Sequence, residues 1–181
     1  MIGRIRHWLY LLVSFFTSPC WDLSKSKTFV IPKGHHRSTA ATKEFHGSSL
    51  VFEVTFDESG IYQLEGEDHY DVNKLTGFKY GLSPHYNSAR FGWRYDWGEI
   101  MLVAYTYVDG VRDIYDIGTC LIGQTVQGSI TETDTEWIYR FKENEYRIFR
   151  GFSERNRFYD FPYFGGNKTA PHEIRIKLMF N

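Results

Sequence analysis

Asp71–Tyr107, DVNKLTGFKYGLSPHYNSARFGWRYDWGEIMLVAYTY, is the stretch that decides the fold. Within it Ser88, Arg90, Gly92 and Arg94 alternate with Ala89, Phe91, Trp93 and Tyr95. A two-residue period sends alternate side chains to opposite faces of a strand, so one face here is polar and the other apolar. Asp96-Trp97-Gly98 reads as a turn, and Glu99 to Val108 as a second strand. Its two sets, Met101, Val103, Tyr105, Tyr107 and Leu102, Ala104, Thr106, Val108, are both fairly apolar. A strand of that kind belongs inside a sheet covered on both sides.

The same stretch carries a local charge. Val72 to Tyr95 has no Asp or Glu but contains Lys74, Lys79, Arg90 and Arg94, with His85 among them, in a chain whose formal net charge is -1. A basic, aromatic segment in a neutral protein is where an anionic or ring-shaped ligand is expected. Arg90, Arg94, Tyr105 and Tyr107 are expected to line one sheet face. The competing reading packs the tyrosines in the core and leaves the arginines in water.

Working outward, 181 residues suffice for one domain with a proper core. Aromatic content of 18%, 16 glycines and many short alternating runs point to an all-β chain. A pI near 6.7 argues against nucleic acid as a partner. Arg4 and Arg6 precede the apolar run Trp8–Phe16 and then Thr17-Ser18-Pro19-Cys20. Residues 1–20 therefore read as a signal-like leader, with Cys20 as a lipoprotein candidate, or as an uncleaved helix docked on this protein or on a protein partner. The leader reading implies a secreted or cell-surface protein, with membrane attachment through this segment. Residues 21–49 read as a linker with one short strand, Thr28–Ile31, and 50–181 as the folded domain. The adjacent His35 and His36 have no carboxylate or thiol beside them and read as a solvated loop. Neither Cys20 nor Cys120 has metal-ligand spacing, and no metal or cofactor site is expected.

Further strands are expected at Leu50–Phe56, Ile61–Leu64, Val111–Thr119 after the turn Asp109-Gly110, Thr125–Thr133, and His172–Phe180. WIYRF-KEN-EYRIF, Trp137–Phe149, reads as a hairpin. Glu132, Asp134 and Glu136 have the E-x-D-x-E spacing of laminarinase-like glycosidases, where acids on one strand face share a cleft. Thr133 and Thr135 between them favour a solvent-exposed face instead. Short strands with turn signals between them make a β-sandwich or barrel.

NKLTGF (73–78), NSARFGWR (87–94) and AYTY (104–107), in that order, resemble the core of concanavalin-like jelly-roll polysaccharide lyases of the alginate and glucuronan type. The closing YFGGNKTAPHEIRIKL (163–178) looks like the last strand of such sandwiches. Asn73 and Thr76 depart from the Gly and Pro of the family's turn. The resemblance implies a jelly-roll β-sandwich of two antiparallel sheets and a site made of Lys74, Ser88, Arg90, Tyr105 and Tyr107. The implied reaction is β-elimination on a uronate-containing acidic polysaccharide, without a cofactor. It needs cations on the carboxylate, a base and an acid. Lys74 and Arg90 suit the first task. Tyr105 and Tyr107 suit the others if nearby cations lower the phenol pKa, and a desolvated Lys74 is an alternative base. Arg94 and His85 would contact substrate. Two other classes stay open. One is a non-catalytic glycan-binding module with Trp93, Trp97, Tyr105 and Tyr107 as stacking platforms. The other is a structural surface or virion-associated protein on the same fold.

Overall fold

The computed structural model describes residues 25–81, 83–152 and 156–181. The leader or docking helix expected over 1–20 lies outside the described residues. Among the described residues twelve strands run in chain order: β1 Lys27–Ile31, β2 Glu44–Phe45, β3 Ser49–Phe56, β4 Asn73–Tyr80, β5 Ser88–Asp96, β6 Glu99–Val108, β7 Val111–Leu121, β8 Thr125–Glu132, β9 Glu136–Phe141, β10 Asn144–Phe149, β11 Arg157–Asp160 and β12 Ile174–Phe180. They form two antiparallel six-stranded sheets, ordered β1-β12-β3-β8-β9-β10 and β2-β11-β4-β5-β6-β7. This is the sandwich of two antiparallel sheets that the resemblance implied. The segment expected to be a linker is built into both sheets. β1 pairs with β12 and β2 with β11, because Phe29, Ile31 and Phe45 each carry an apolar side chain into the core.

Alternation decides which sheet face is buried. Ala89, Phe91 and Trp93 on β5, and Ile100, Leu102 and Ala104 on β6, enter the core with no more than 1% of their surface exposed. They meet the first sheet through aromatic contacts. Phe91 packs edge-on against Phe52 at 5.0 Å and against Tyr139 at 5.4 Å, and Trp93 lies 5.0 Å from Phe56. Such geometries favour aromatic rings beyond the area they bury. β6 lies between β5 and β7, as two apolar faces require. The turn Asp109-Gly110, with φ of 48° and 81°, sets the β6–β7 register so that Tyr107 faces Arg112.

Three expectations are corrected. Ile61–Leu64 forms no strand, and a 3-10 turn over Gly66–Tyr70 follows it. Glu132, Asp134 and Glu136 do not share one strand: Glu132 ends β8, Asp134 is in the turn, and Glu136 begins β9. Glu132 is also not solvated, because its carboxylate is paired with Arg150 and Arg157, and Arg150 donates to the Tyr80 hydroxyl at 3.0 Å. This cluster ties β8 of one sheet to β11 and β4 of the other. His36 is docked rather than solvated, bonded through Nδ1 to the Phe164 carbonyl at 2.9 Å and stacked on Tyr163 at 5.1 Å.

Phe91 touches rings of the opposite sheet from the middle of β5. Phe91→Ala is expected to cost about 3–5 kcal/mol in denaturant unfolding. The exposed Trp97, changed to Ala, should stay within about 0.5 kcal/mol of the parent.

Candidate active site

The outer face of the second sheet carries the residues that the alternation set apart from the core. Register places Ser88 beside Tyr107 and Arg90 beside Tyr105, with Gly77 on the other side of Arg90. Lys74 pairs with Gly92, and the ladder shifts between Lys74 and Thr76. On its other side the Lys74 backbone bonds in both directions with Tyr163, at 2.8 and 2.9 Å. The chain from β11 to Asn167 therefore rises beside β4 as a wall. Between this wall, residues 37–42 and the segment around His85 lies a cleft of about 490 Å³.

Lys74 is at the floor and 9% exposed. Its Nζ donates to the carbonyls of Val72 at 2.8 Å and Gly165 at 3.2 Å. It lies 4.9 Å from the Tyr105 ring centre and 5.8 Å from that of Tyr163. Burial first, and then the positive charge of Arg90, bring its pKa down to about 8. Below that value it is a cation. Above it, a neutral amine can keep both N–H bonds to the carbonyls and leave its lone pair free.

Arg90 is 2% exposed. Nη1 donates to Asp160 Oδ2 and Nη2 to the Pro84 carbonyl, each at 3.2 Å. Its guanidinium carbon lies 4.9 Å from the Tyr105 ring centre and 5.8 Å from that of Tyr107. The two tyrosine rings are 5.9 Å apart. Tyr107 and Arg112 are the polar neighbours of the Tyr105 hydroxyl. Its pKa is raised, by burial and by Tyr107, despite Arg112 and Arg90. This reverses the expected lowering: Tyr105 is held as a phenol, suited to give a proton rather than take one. The His85 ring sits 5.4 Å from that of Tyr107. Burial first, then Arg90 and Lys74, lower its pKa, so it is mostly neutral at pH 7.

Lys74, His85, Arg90, Tyr105 and Tyr107 thus meet at one cleft, and four other expected residues do other work. Ser88 is buried and donates to the Pro84 carbonyl at 2.7 Å, so it supports the loop before β5. Arg94 shares the outer face but is held by both oxygens of Asp116, at 2.9 and 2.7 Å. Trp93 is wholly in the core, because its parity is that of Phe91. Trp97 is 92% exposed at the β5–β6 turn and does not line the cleft.

Sequence reasoning missed Arg37, Arg112, Asp160 and Tyr163. Only Arg112 had a signal, the Asp109-Gly110 hairpin register. With them the electrostatics are plain. Among the described residues the lining holds Arg37, Lys74, Lys79, Arg90 and Arg112 against a single carboxylate, Asp160. Positive charges over low-dielectric walls concentrate anions. No group of acids, histidines and cysteines among the described residues has the arrangement of a metal site.

Because the folded pKa of Lys74 lies below its ordinary value, the folded chain binds fewer protons between the two. This lysine's contribution to stability therefore improves as pH rises through that window. With isotope-labelled, reductively methylated lysines, one NMR resonance should titrate near pH 8 and vanish in Lys74→Arg. Titration of every lysine near its ordinary value would contradict the desolvated site.

No family model matches the sequence, and no curated protein does. Solved structures do. The alginate lyase AlyC3 is 12% identical, with 88% of this chain and 75% of that one covered and a TM-score of 0.60. The polysaccharide lyase family 18 protein aly-SJ02 is 10% identical over 90% of this chain and 88% of that one, at a TM-score of 0.56. An alginate lyase from Alteromonas sp. 272 is 11% identical over 92% and 90%, at 0.55. At such identities the likeness is one of fold: the chain has a concanavalin-like jelly roll of the kind found in these alginate lyases.

Proposed function

We propose that this protein binds an acidic, uronate-containing polysaccharide in the cleft and cleaves it by β-elimination. The observation that carries the reading is the lining itself. Among the described residues four cationic side chains, Arg37, Lys79, Arg90 and Arg112, stand against one carboxylate, around Lys74, whose amine is partly neutral near pH 8. The fold shared with alginate lyases supports it.

The chemistry follows from the positions. The uronate carboxylate lies in the field of Arg112, which is exposed, and of Arg90 beneath it. Neutralising that carboxylate makes the adjacent C–H acidic and stabilises the enolate that forms. The neutral Lys74 amine takes this proton and becomes an ammonium. The carbon–oxygen bond to the leaving sugar breaks as the ring carbon–carbon double bond forms. Tyr107, half-exposed beside His85, gives its hydroxyl proton to the departing oxygen, and the Tyr105 phenol supports it from below. Water then returns the proton from Lys74 to the tyrosine. Arg90 and Asp160 hold the floor in place.

A binding module that only stacks sugars is less well served. Trp93 is in the core and Trp97 is outside the cleft, which leaves no tryptophan platform and only the rings of Tyr105, Tyr107, Tyr159, Phe161 and Tyr163 among the described lining residues.

Incubation with polymannuronate, polyguluronate or polyglucuronate should raise the ultraviolet absorbance of an unsaturated uronate. The rate should climb as pH approaches about 8, where Lys74 loses its proton. Lys74→Ala and Tyr107→Phe should each lower kcat about 10²–10⁴-fold. Added salt should raise KM by screening the cleft. Retention on an acidic-polysaccharide gel with no unsaturated product from any polymer would reject cleavage and leave binding alone.

A further inference from the structure

The outer face of the second sheet is not open along its whole length. Passing along the strands from the Ser88–Tyr107 pair to Arg90–Tyr105, then Gly92–Val103 and Arg94–Met101, the cleft lining takes Tyr107, Arg90 and Tyr105 and nothing from the last two pairs. The third is covered. Val103 faces outward yet is 0% exposed, clustered with Val72 and Tyr105. The cover is Val72: a Cβ on Gly92 would overlap its Cγ1, so the valine occupies the place where a side chain of β5 would stand. Gly92 is thus the socket of a plug.

The plug is latched to the wall. Asp71 Oδ2 accepts from the Asn167 N–H at 3.3 Å, Asn73 Oδ1 accepts from the Gly165 N–H at 2.5 Å, and Lys168 pairs with Asp68 at 3.6 Å. Asn73 is itself 1% exposed and donates to the Tyr62 hydroxyl at 2.9 Å. Lys74 donates to carbonyls on both sides of the latch, Val72 and Gly165. The group assigned as the base therefore stands where the cleft ends.

We infer that the cleft is blind at Lys74 and takes the end of a polyuronate chain rather than its middle. This rests on the elimination reading above and adds where on the polymer the bond is broken. A strand crossing the whole sheet would have to pass through Val72. A chain entering past Arg112, Lys79 and His85 instead stops against Val72 and the Gly165–Asn167 wall, with one of its last linkages at Lys74 and Tyr107. The bond changes are those already described, and each event releases a short piece.

The test follows viscosity and unsaturated product together on long polymannuronate and polyglucuronate. Chain-end action predicts that products of one or two sugars dominate from the first time points while viscosity barely falls. Val72→Gly, which unplugs the Gly92 socket, should shift the products to longer oligosaccharides and make viscosity drop early. Long oligosaccharides and a rapid viscosity loss from the unaltered protein would overturn the inference and leave the elimination reading standing. Absence of unsaturated product from every polymer would reject the elimination reading, and binding stoichiometry then decides the cleft's shape. One protein per chain, whatever the chain length, supports the blind end; several per long chain, or no binding, overturns it.

Discussion

A guanidinium almost wholly withdrawn from water is the constraint on which the second sheet depends. Arg90 sits in mid-strand, and an isolated buried charge is costly unless it is paired and hydrogen-bonded. A distant and a local segment answer that demand, Asp160 from β11 and the Pro84 carbonyl from the loop before β5. The Tyr105 ring supplies a third partner through its face. β11 is short and would be a weak edge alone. Its pairing with β4 and the Asp160 ion pair fasten it against the sheet.

The second consequence is a concentration of like charge. Lys74 and Arg90 share one floor, and the charge of Arg90 disfavours the charged form of Lys74. Arginine keeps its proton, so lysine yields, and Arg90 is the largest cause after burial of the lowered Lys74 pKa. Asp71 and Asp160 oppose this without cancelling it. Packing thus turns a repulsion that would weaken a plain scaffold into an amine that loses its proton near pH 8 and a positive field over the cleft. Tyr105, buried and beside Tyr107, is kept protonated between the cations.

Much of this was legible in the period-2 pattern. The parity of Arg90 and of Tyr105 and Tyr107 put them on one face, and a two-residue hairpin at Asp109-Gly110 settles which β7 residues join them. The same rule explains the failed expectation at Trp93, whose parity is that of Phe91 and so of the core. Asp160, Tyr163 and Arg37 were hidden because they reach the cleft through contacts spanning 70 to more than 90 positions of sequence or through isolated bridges. Local periodicity carries no record of such pairings. The wall at Gly165–Asn167 depends on Asn73 and Asp71 bonding to the distant Gly165 and Asn167 N–H groups.

The account stands or falls on where an anionic sugar chain rests. The direct measurement is a titration of a saturated triuronate into isotope-labelled protein, with backbone and side-chain resonances followed by NMR. The account predicts saturable shifts at Arg37, Lys74, Tyr107, Arg112 and Tyr163, with Trp97 and the β9–β10 hairpin undisturbed. Shifts centred on those distal elements, or none at a large excess of ligand, would contradict it.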